Sequence, residues 1–124
     1  MQRGQTLIMM LFFTLIGITV VTSATFIIIT NSQGNTKLQQ SVVAYEIAQS
    51  GAENAMLQLL RNPAYTGEVM TISDGTATIQ VSSNSAIFTI ISTGQSGNFI
   101  KKVQVTGIYQ NYGITFSPIK EIYN

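Results

Sequence analysis

The sequence predicts an α+β protein in which one long N-terminal helix packs on a four-stranded antiparallel β-sheet. Three observations lead to this fold class. No charged side chain occurs between Arg3 and Lys37, and most residues of that stretch are apolar. Apolar residues then recur at three- and four-residue spacing up to Asn62-Pro63, which is the pattern of an amphipathic helix. Beyond Pro63, Thr, Ser, Val, Ile and Gly dominate and alternate in polarity, which is typical of strands.

The apolar stretch covers residues 7–29 and is long enough to cross a membrane. As a helix rising about 1.5 Å per residue it would span roughly 35 Å, against a hydrocarbon core of about 30 Å. Thr and Ser interrupt the run, but their hydroxyls can bond to helix carbonyls and do not exclude a span. Because Arg3 precedes the run and the bulk of the chain follows it, the positive-inside rule predicts a single pass with a cytoplasmic N-terminus.

Three kinds of processing are compatible with this segment. A secretory signal peptide would be cut after a small residue such as Ala24, although residues 26–29 continue the apolar run beyond it. An uncleaved signal anchor would keep the whole segment. The third is cleavage before the run, between Gly4 and Gln5, which would leave the apolar helix at the new N-terminus.

The residues around that junction resemble the class III signal of type IV prepilins. Residues 3–8, Arg-Gly-Gln-Thr-Leu-Ile, have the short basic leader ending in Gly and the start of the apolar helix. In that family a membrane aspartic peptidase cuts after the Gly and usually methylates the new N-terminus. The resemblance therefore implies a leader over residues 1–4, cleavage between Gly4 and Gln5, and N-terminal modification at Gln5.

The resemblance also implies a role for residues 5–30. They would hold the subunit in the bacterial cytoplasmic membrane and then pack against the helices of other pilin subunits in an extracellular or periplasmic filament. Prepilin peptidase and the pilus assembly machinery, with its separate motor ATPase, would be further partners. The side chains expected to form this membrane and assembly helix are Leu7, Ile8, Met9, Leu11, Phe12, Phe13, Leu15, Ile16, Val20, Val21 and Phe26.

One position departs from the family pattern. Most major pilins carry Glu at the fifth residue after the cut, where it is understood to pair with the N-terminal amine of a neighbouring subunit, and here that residue is Met9. A buried ammonium without a partner is costly, so a subunit that packs beneath another one benefits from the Glu. A subunit with nothing above it does not need it. The departure favours a minor pilin or pseudopilin at the filament tip.

Residues 31–62 are predicted to form the next segment of the chain. The segment begins with polar residues 31–35, which interrupt the apolar pattern, and continues as an amphipathic helix over about residues 36–61. Residues 44–55 resemble the helix of PilX-type minor pilins. Glu46 and Glu53 share one side of this helix, with Gln49 between them, and are interpreted as a solvated face. The apolar stripe, expected to cover the sheet, consists of Leu38, Val42, Tyr45, Ala48, Ala52, Ala55, Met56, Leu59 and Leu60.

Residues 63–124 are predicted to form the sheet and a C-terminal tail. Strands are expected at residues 69–73, 76–82, 86–93 and 99–108, with Asp74-Gly75 turning between the first two. Residues 94–98 are expected to form a loop. The stretch from residue 91 to residue 105 resembles the last hairpin of the PilX and pseudopilin group.

Two features of this region have ordinary structural interpretations. The Lys101-Lys102 pair is interpreted as solubilising charge that also protects a sheet edge. The aromatic residues of the tail, which include Tyr109, Tyr112 and Phe116, are expected to pack over the sheet more than to form an exposed contact surface.

Composition excludes most classes of enzyme. The chain has no His and no Cys, and it carries no phosphate-binding loop, nucleophile elbow or cluster with metal-ligand spacing. We therefore expect no catalytic residue, no metal ligand and no cofactor. The side-chain charge of +1 would fall to zero on loss of Arg3, leaving five basic against five acidic residues. Nucleic acid is not an expected partner, because two adjacent lysines neutralise too few phosphates.

The expected function is therefore that of a structural subunit without enzymatic activity. It would be a minor pilin or pseudopilin that assembles through its N-terminal helix and serves adhesion, DNA uptake or secretion. The alternative is a membrane-anchored, β-rich binding module that keeps its signal anchor.

Overall fold

A computed structural model describes residues 2–123 of the chain. The chain divides into two units, Met1–Lys37 and Leu38–Asn124, and each is described by itself. The described residues form one helix, α1 (Gln2–Arg61), followed by β1 (Val69–Ile72), β2 (Gly75–Asn84), β3 (Ile87–Ser96), β4 (Phe99–Gln110), β5 (Gly113–Phe116) and β6 (Lys120–Ile122). The second half of α1 packs on an antiparallel sheet, so the predicted α+β class is confirmed.

The sheet has six strands, and the prediction of four was wrong. Strands β1 to β5 follow one another as an antiparallel meander, and β6 also pairs with β4. The two additional strands come from the segment expected to be a tail. They were missed because the β4–β5 turn contains Asn111 and Tyr112, with φ of 51° and 67°, instead of the Asn-Gly or Asp-Gly pair that signals a tight hairpin.

The predicted loop at residues 94–98 is largely strand. β3 continues to Ser96, which pairs with Phe99 of β4, and only two residues separate the strands. One of them, Gly97, adopts a φ of 56°, a conformation that favours glycine. Gly94 looked like a turn former in the sequence, but it is buried inside the strand.

β3 is the central strand of the meander. It pairs with β2 on one side and with β4 on the other over its whole length. Phe88 and Ile90 share its buried face, whereas Ile87 is 47% exposed on the opposite face. The buried residues that form the core are Ala48, Ala52, Ala55, Leu59, Ile79, Phe88, Ile90, Val103 and Val105.

The helix face that covers the sheet differs in part from the predicted stripe. Ala48, Ala52, Ala55 and Leu59 are buried as expected. Leu38, Val42 and Leu60 are 68%, 55% and 56% exposed, so their place in the stripe was wrong. The buried positions that the stripe omitted are Ala44, Ile47 and Gly51.

Backbone contact explains this shift of the buried face. A side chain at Gly94 of β3 would overlap the carbonyl of Ala44 and the backbone nitrogen of Ala48. The helix backbone therefore rests on the strand, and only small residues fit at the closest approach. Large apolar side chains such as Leu38 and Leu60 lie to the side of this contact.

The helix is continuous through Gly34, where the sequence indicated a break. The Thr36 hydroxyl donates to the Ser32 carbonyl at 3.0 Å, a bond within the helix. The helix ends at Arg61, as predicted, and the Asn62 amide donates to the Gln58 carbonyl at 2.7 Å. Pro63 cannot donate such a bond and stops the helix.

Candidate membrane and assembly helix

The first part of α1 exposes apolar side chains on all sides. Its most apolar 18-residue stretch has 0% of its residues buried in the chain's own fold. A helix that is apolar all round requires an apolar environment, either lipid or other protein. Among residues 2–123, α1 is the one helix whose length and composition suffice to cross a membrane.

The residues predicted for this helix all lie on its surface. Their exposed fractions run from 55% at Ile16 to 78% at Phe13. The same surface includes further large apolar residues of the 7–29 stretch that were not among the predicted assembly residues. Their apolar character was sufficient to predict them: Met10, Ile18, Ile27, Ile28 and Ile29.

The hydroxyl groups inside the apolar segment are all hydrogen-bonded within the helix. Thr14 donates to the Met10 carbonyl at 2.8 Å, and Thr22 donates to the Ile18 carbonyl at 2.7 Å. The other Thr and Ser residues between positions 6 and 30 make the same kind of bond, to a carbonyl three or four residues earlier. These side chains therefore do not add unsatisfied donors to the apolar surface.

The predicted processing junction lies in the first turns of the helix. Gly4 and Gln5 are both helical and exposed, while Met1 of the predicted leader lies outside the described residues. The first four amide groups of an α-helix have no acceptor within it, so its start is the easiest part to open. Here one side-chain bond spans the junction, from the Thr6 hydroxyl to the Gln2 carbonyl at 3.0 Å.

Met9 lies one helical turn after Gln5 and shares its side of the helix. Both side chains line a shallow surface depression together with Gln2 and Thr6. Met9 is 62% exposed. No carboxylate lies in this part of the chain, because the first acidic residue of the sequence is Glu46.

The two acidic residues of the amphipathic helix lie on its exposed face. Glu46 and Glu53 are exposed, and the Gln49 side-chain amide donates to Glu53 Oε1 at 3.1 Å. Within the described residues, no group of three His, Cys, Asp or Glu side chains is placed to hold a metal ion.

The Lys101-Lys102 pair does not lie at a free sheet edge, so its interpretation as edge protection was wrong. β6 pairs with β4 at this point, and Lys102 lies opposite Ile122. Lys101 Nζ forms an ion pair with Glu121 Oε1 at 2.7 Å and lies 5.6 Å from the centre of the Tyr123 ring.

This ion pair shifts the pKa of both partners. The hydrogen bond from Lys101 lowers the pKa of Glu121, with a further contribution from the Tyr123 hydroxyl, which donates to Glu121 Oε2 at 3.1 Å. The same ion-paired hydrogen bond raises the pKa of Lys101. Because both side chains are about a quarter exposed, solvent weakens the attraction between them.

A second polar cluster joins the helix to the segment before β1. The Tyr65 hydroxyl and the Asn54 side-chain amide both donate to Glu68 Oε1, at 3.0 Å and 2.9 Å. Burial raises the pKa of Tyr65 to about 12, and the hydrogen bond to Glu68 adds to the shift. The cluster fixes the chain where it leaves the helix and enters the sheet.

The aromatic residues of the C-terminal segment divide into two groups. Phe116 of β5 packs against the core, in agreement with the expectation. Tyr109, Tyr112 and Tyr123 are 46%, 96% and 81% exposed, so the expectation of packing was wrong for them. Each lies within a strand near its end or directly beside one.

No protein-family model, curated protein or solved structure matches this chain.

Proposed function

We propose that the protein is a structural subunit of a type IV pilus-like filament, a minor pilin or pseudopilin with a pilin-like fold and no catalytic activity of its own. Prepilin peptidase removes residues 1–4, and the chain then begins at Gln5. Before assembly, the subunit is anchored in the cytoplasmic membrane, and its head, which comprises the packed part of α1 and the sheet, is exported. It then joins the filament through residues 5–30.

The observation that carries this proposal is the character of α1. One uninterrupted helix begins with an exposed apolar segment and ends with an alanine- and glycine-rich face packed on an antiparallel sheet. A segment intended only as an anchor has no need to continue without a break into the core helix of the head. A filament subunit uses both parts of such a helix, the exposed apolar segment for contacts with other subunits and the packed segment as the core of the head.

Assembly exchanges one apolar environment for another. In the membrane, lipid surrounds the exposed side chains of residues 7–29, and in the filament the helices of other subunits replace the lipid. The hydroxyls of this segment suit both environments, since each is bonded to its own helix. Small residues such as Gly17, where an added methyl group would meet nothing, allow a neighbouring helix to approach closely.

The identity of residue 9 supports a position at the tip. After cleavage, the amine of Gln5 and the side chain of Met9 lie on the same side of the helix, one turn apart. Met9 cannot accept a hydrogen bond from the amine of a subunit above it as a carboxylate can. The subunit therefore fits a place where no other subunit stacks above.

Intact-mass analysis of protein extracted from membranes tests this proposal. Cells with an active prepilin peptidase should yield a chain that lacks Met1 to Gly4, and cells without the peptidase should yield the full chain. A Gly4→Val variant should keep the leader, because the side chain obstructs the cut. Gly34→Val is the matched control, since Gly34 is another exposed helix glycine with open space around it.

The other outcomes contradict the proposal in different ways. A full-length chain in peptidase-active cells would mean that the helix is an uncleaved anchor of a binding module. A chain that begins at Thr25 would mean that the apolar segment is a secretory signal peptide.

A further inference from the structure

We propose that Gln5, once exposed as the first residue, cyclises to pyroglutamate, so that the mature helix begins with a neutral ring instead of an ammonium group. The inference rests on the proposed cleavage after Gly4. It concerns a modification different from methylation, because methylation leaves a basic, charged amine.

Within its own helix, the charge at the new N-terminus has no acidic partner. Residues 5–36 contain no ionisable side chain, and the residue one turn away is Met9. The partial positive charge of the helix N-terminus adds to the repulsion, since it favours anions and opposes a cation. An ammonium group at the head of this apolar segment is therefore unfavourable in the membrane, where lipid excludes water and the chain itself supplies no carboxylate.

Gln5 is able to remove that charge by an internal reaction. The N-terminal nitrogen attacks Cδ of its own side chain, the bond between N and Cδ forms, and the bond between Cδ and Nε2 breaks. The departing nitrogen takes up the proton that the amine gives up and leaves as ammonia. The product is a five-membered lactam, and the step needs no oxidant, reductant or co-reactant.

The conditions for this reaction are present at the junction. The nucleophile is the uncharged amine, and an α-amino group has a pKa of about 7.7–8.0, so a substantial fraction is uncharged near neutral pH. Gln5 is exposed at the start of the helix. Removal of the leader also takes away Gln2, whose carbonyl accepts the hydrogen bond from Thr6, and this loosens the first turn.

The product suits the first position of a helix. A pyroglutamate ring closes on the backbone nitrogen in the same way as a proline ring does. As the terminal residue, pyroglutamate keeps its lactam N–H, and the first four amide groups of a helix have no acceptor within the helix, so the ring displaces no helix hydrogen bond. Cyclisation therefore removes a charge without disturbing the helix that follows.

Mass spectrometry of the N-terminal peptide tests the inference on the protein as cells produce it. The protein is extracted at low temperature in mild acid, which slows cyclisation after extraction. The expected peptide begins at Gln5 and lacks the mass of one ammonia. It should resist Edman degradation until a pyroglutamyl peptidase removes the ring. The Gln5→Asn variant is the matched control: it keeps the amide but is one methylene shorter, so the same attack would require a strained four-membered ring, and it should keep its amine.

The outcomes separate this inference from the proposed function. A peptide that begins at Gln5 with a free or methylated amine would overturn the inference and leave the proposed function intact. So would a ring that is absent at the moment of extraction and accumulates only on storage. A peptide that still carries Met1 to Gly4 would overturn the proposed function, and the inference with it.

Discussion

Gly51 of α1 lies directly against Ser92 of the central strand β3. A methyl group added at residue 51 would overlap the Ser92 hydroxyl and come within 3.0 Å of Ala77 Cβ. Ser92 is fully buried, and its hydroxyl has no hydrogen-bond partner among residues 2–123. The helix and the sheet therefore meet here at a distance that only the smallest side chains allow.

Replacement of Gly51 by Ala is expected to destabilise the head. Overpacking costs about 1–3 kcal/mol, and the better helix propensity of Ala returns about 1 kcal/mol of it. Denaturant unfolding of the full chain in detergent, followed by circular dichroism, measures the change. Gly34→Ala is the control, because a methyl group there meets nothing within 4 Å, and it should not lower the unfolding free energy. Equal stability of the Gly51→Ala variant and the native chain would contradict the close contact.

Replacement of Ser92 by Ala is expected to stabilise the head by about 1 kcal/mol, because it removes a buried hydroxyl that lacks a partner. It should also reduce the cost of Gly51→Ala, since the overlapping oxygen is gone. A double-mutant cycle measures this coupling. Purely additive changes in the unfolding free energy would mean that the side chains at residues 51 and 92 are not in steric contact.

Tyr65 is expected to be the last tyrosine to ionise, with its pKa at about 12. Ultraviolet titration should detect a late phenolate step that Tyr65→Phe removes and that Glu68→Gln moves to lower pH. Tyr112→Phe is the control, because Tyr112 is 96% exposed and its loss should leave the late step in place. The contribution of Tyr65 to stability should be complete below pH 10.0 and lost as the pH rises through about 12, because the folded state holds the proton more tightly.

The Lys101–Glu121 ion pair is expected to keep β6 attached to β4. Glu121→Gln should speed hydrogen exchange at the amides of residues 120–122, while Lys120→Gln, a charge change in the same strand, should have little effect. Because the pKa of Glu121 is lowered from 4.5, the contribution of the pair is present above that pH and is lost as the pH falls below it. Protection of β6 that is the same in both variants and at all pH values would contradict this role.

Met9→Glu is expected to let the subunit occupy interior positions of the filament. A carboxylate at residue 9 can pair with the N-terminal amine of a subunit above, which the thioether cannot do. Labelled subunits on sheared filaments give the measurement, and Met10→Glu is the control because residue 10 lies on a different side of the helix. Labelling confined to the tips in both variants, or already uniform in the native protein, would contradict the assignment.

Local patterns in the sequence are sufficient to predict most of the secondary structure. The end of α1 at Arg61 follows from Pro63, and the β1–β2 hairpin follows from the alternating strands around Asp74-Gly75. The turn itself is displaced by one residue from the prediction: it consists of Ser73 and Asp74, and Gly75 pairs with Ile72 in the sheet. The β4–β5 turn could not be predicted in this way, because Asn111 and Tyr112 are held at positive φ by the pairing of the strands on either side. Pairing over a long strand can outweigh the local preference of two turn residues.

The apolar helix is a property of consecutive residues, so the sequence by itself determined it through the uncharged run. The processing junction between Gly4 and Gln5 is also read from consecutive residues and stays a prediction. The face of the helix that meets the sheet was decided only by the tertiary structure. Periodicity identified the large apolar residues, but the closest contact selects the smallest ones, such as Gly51 against Ser92. The physical reason is that hydrophobicity can be read from each residue alone, whereas the distance between two backbones depends on both surfaces together.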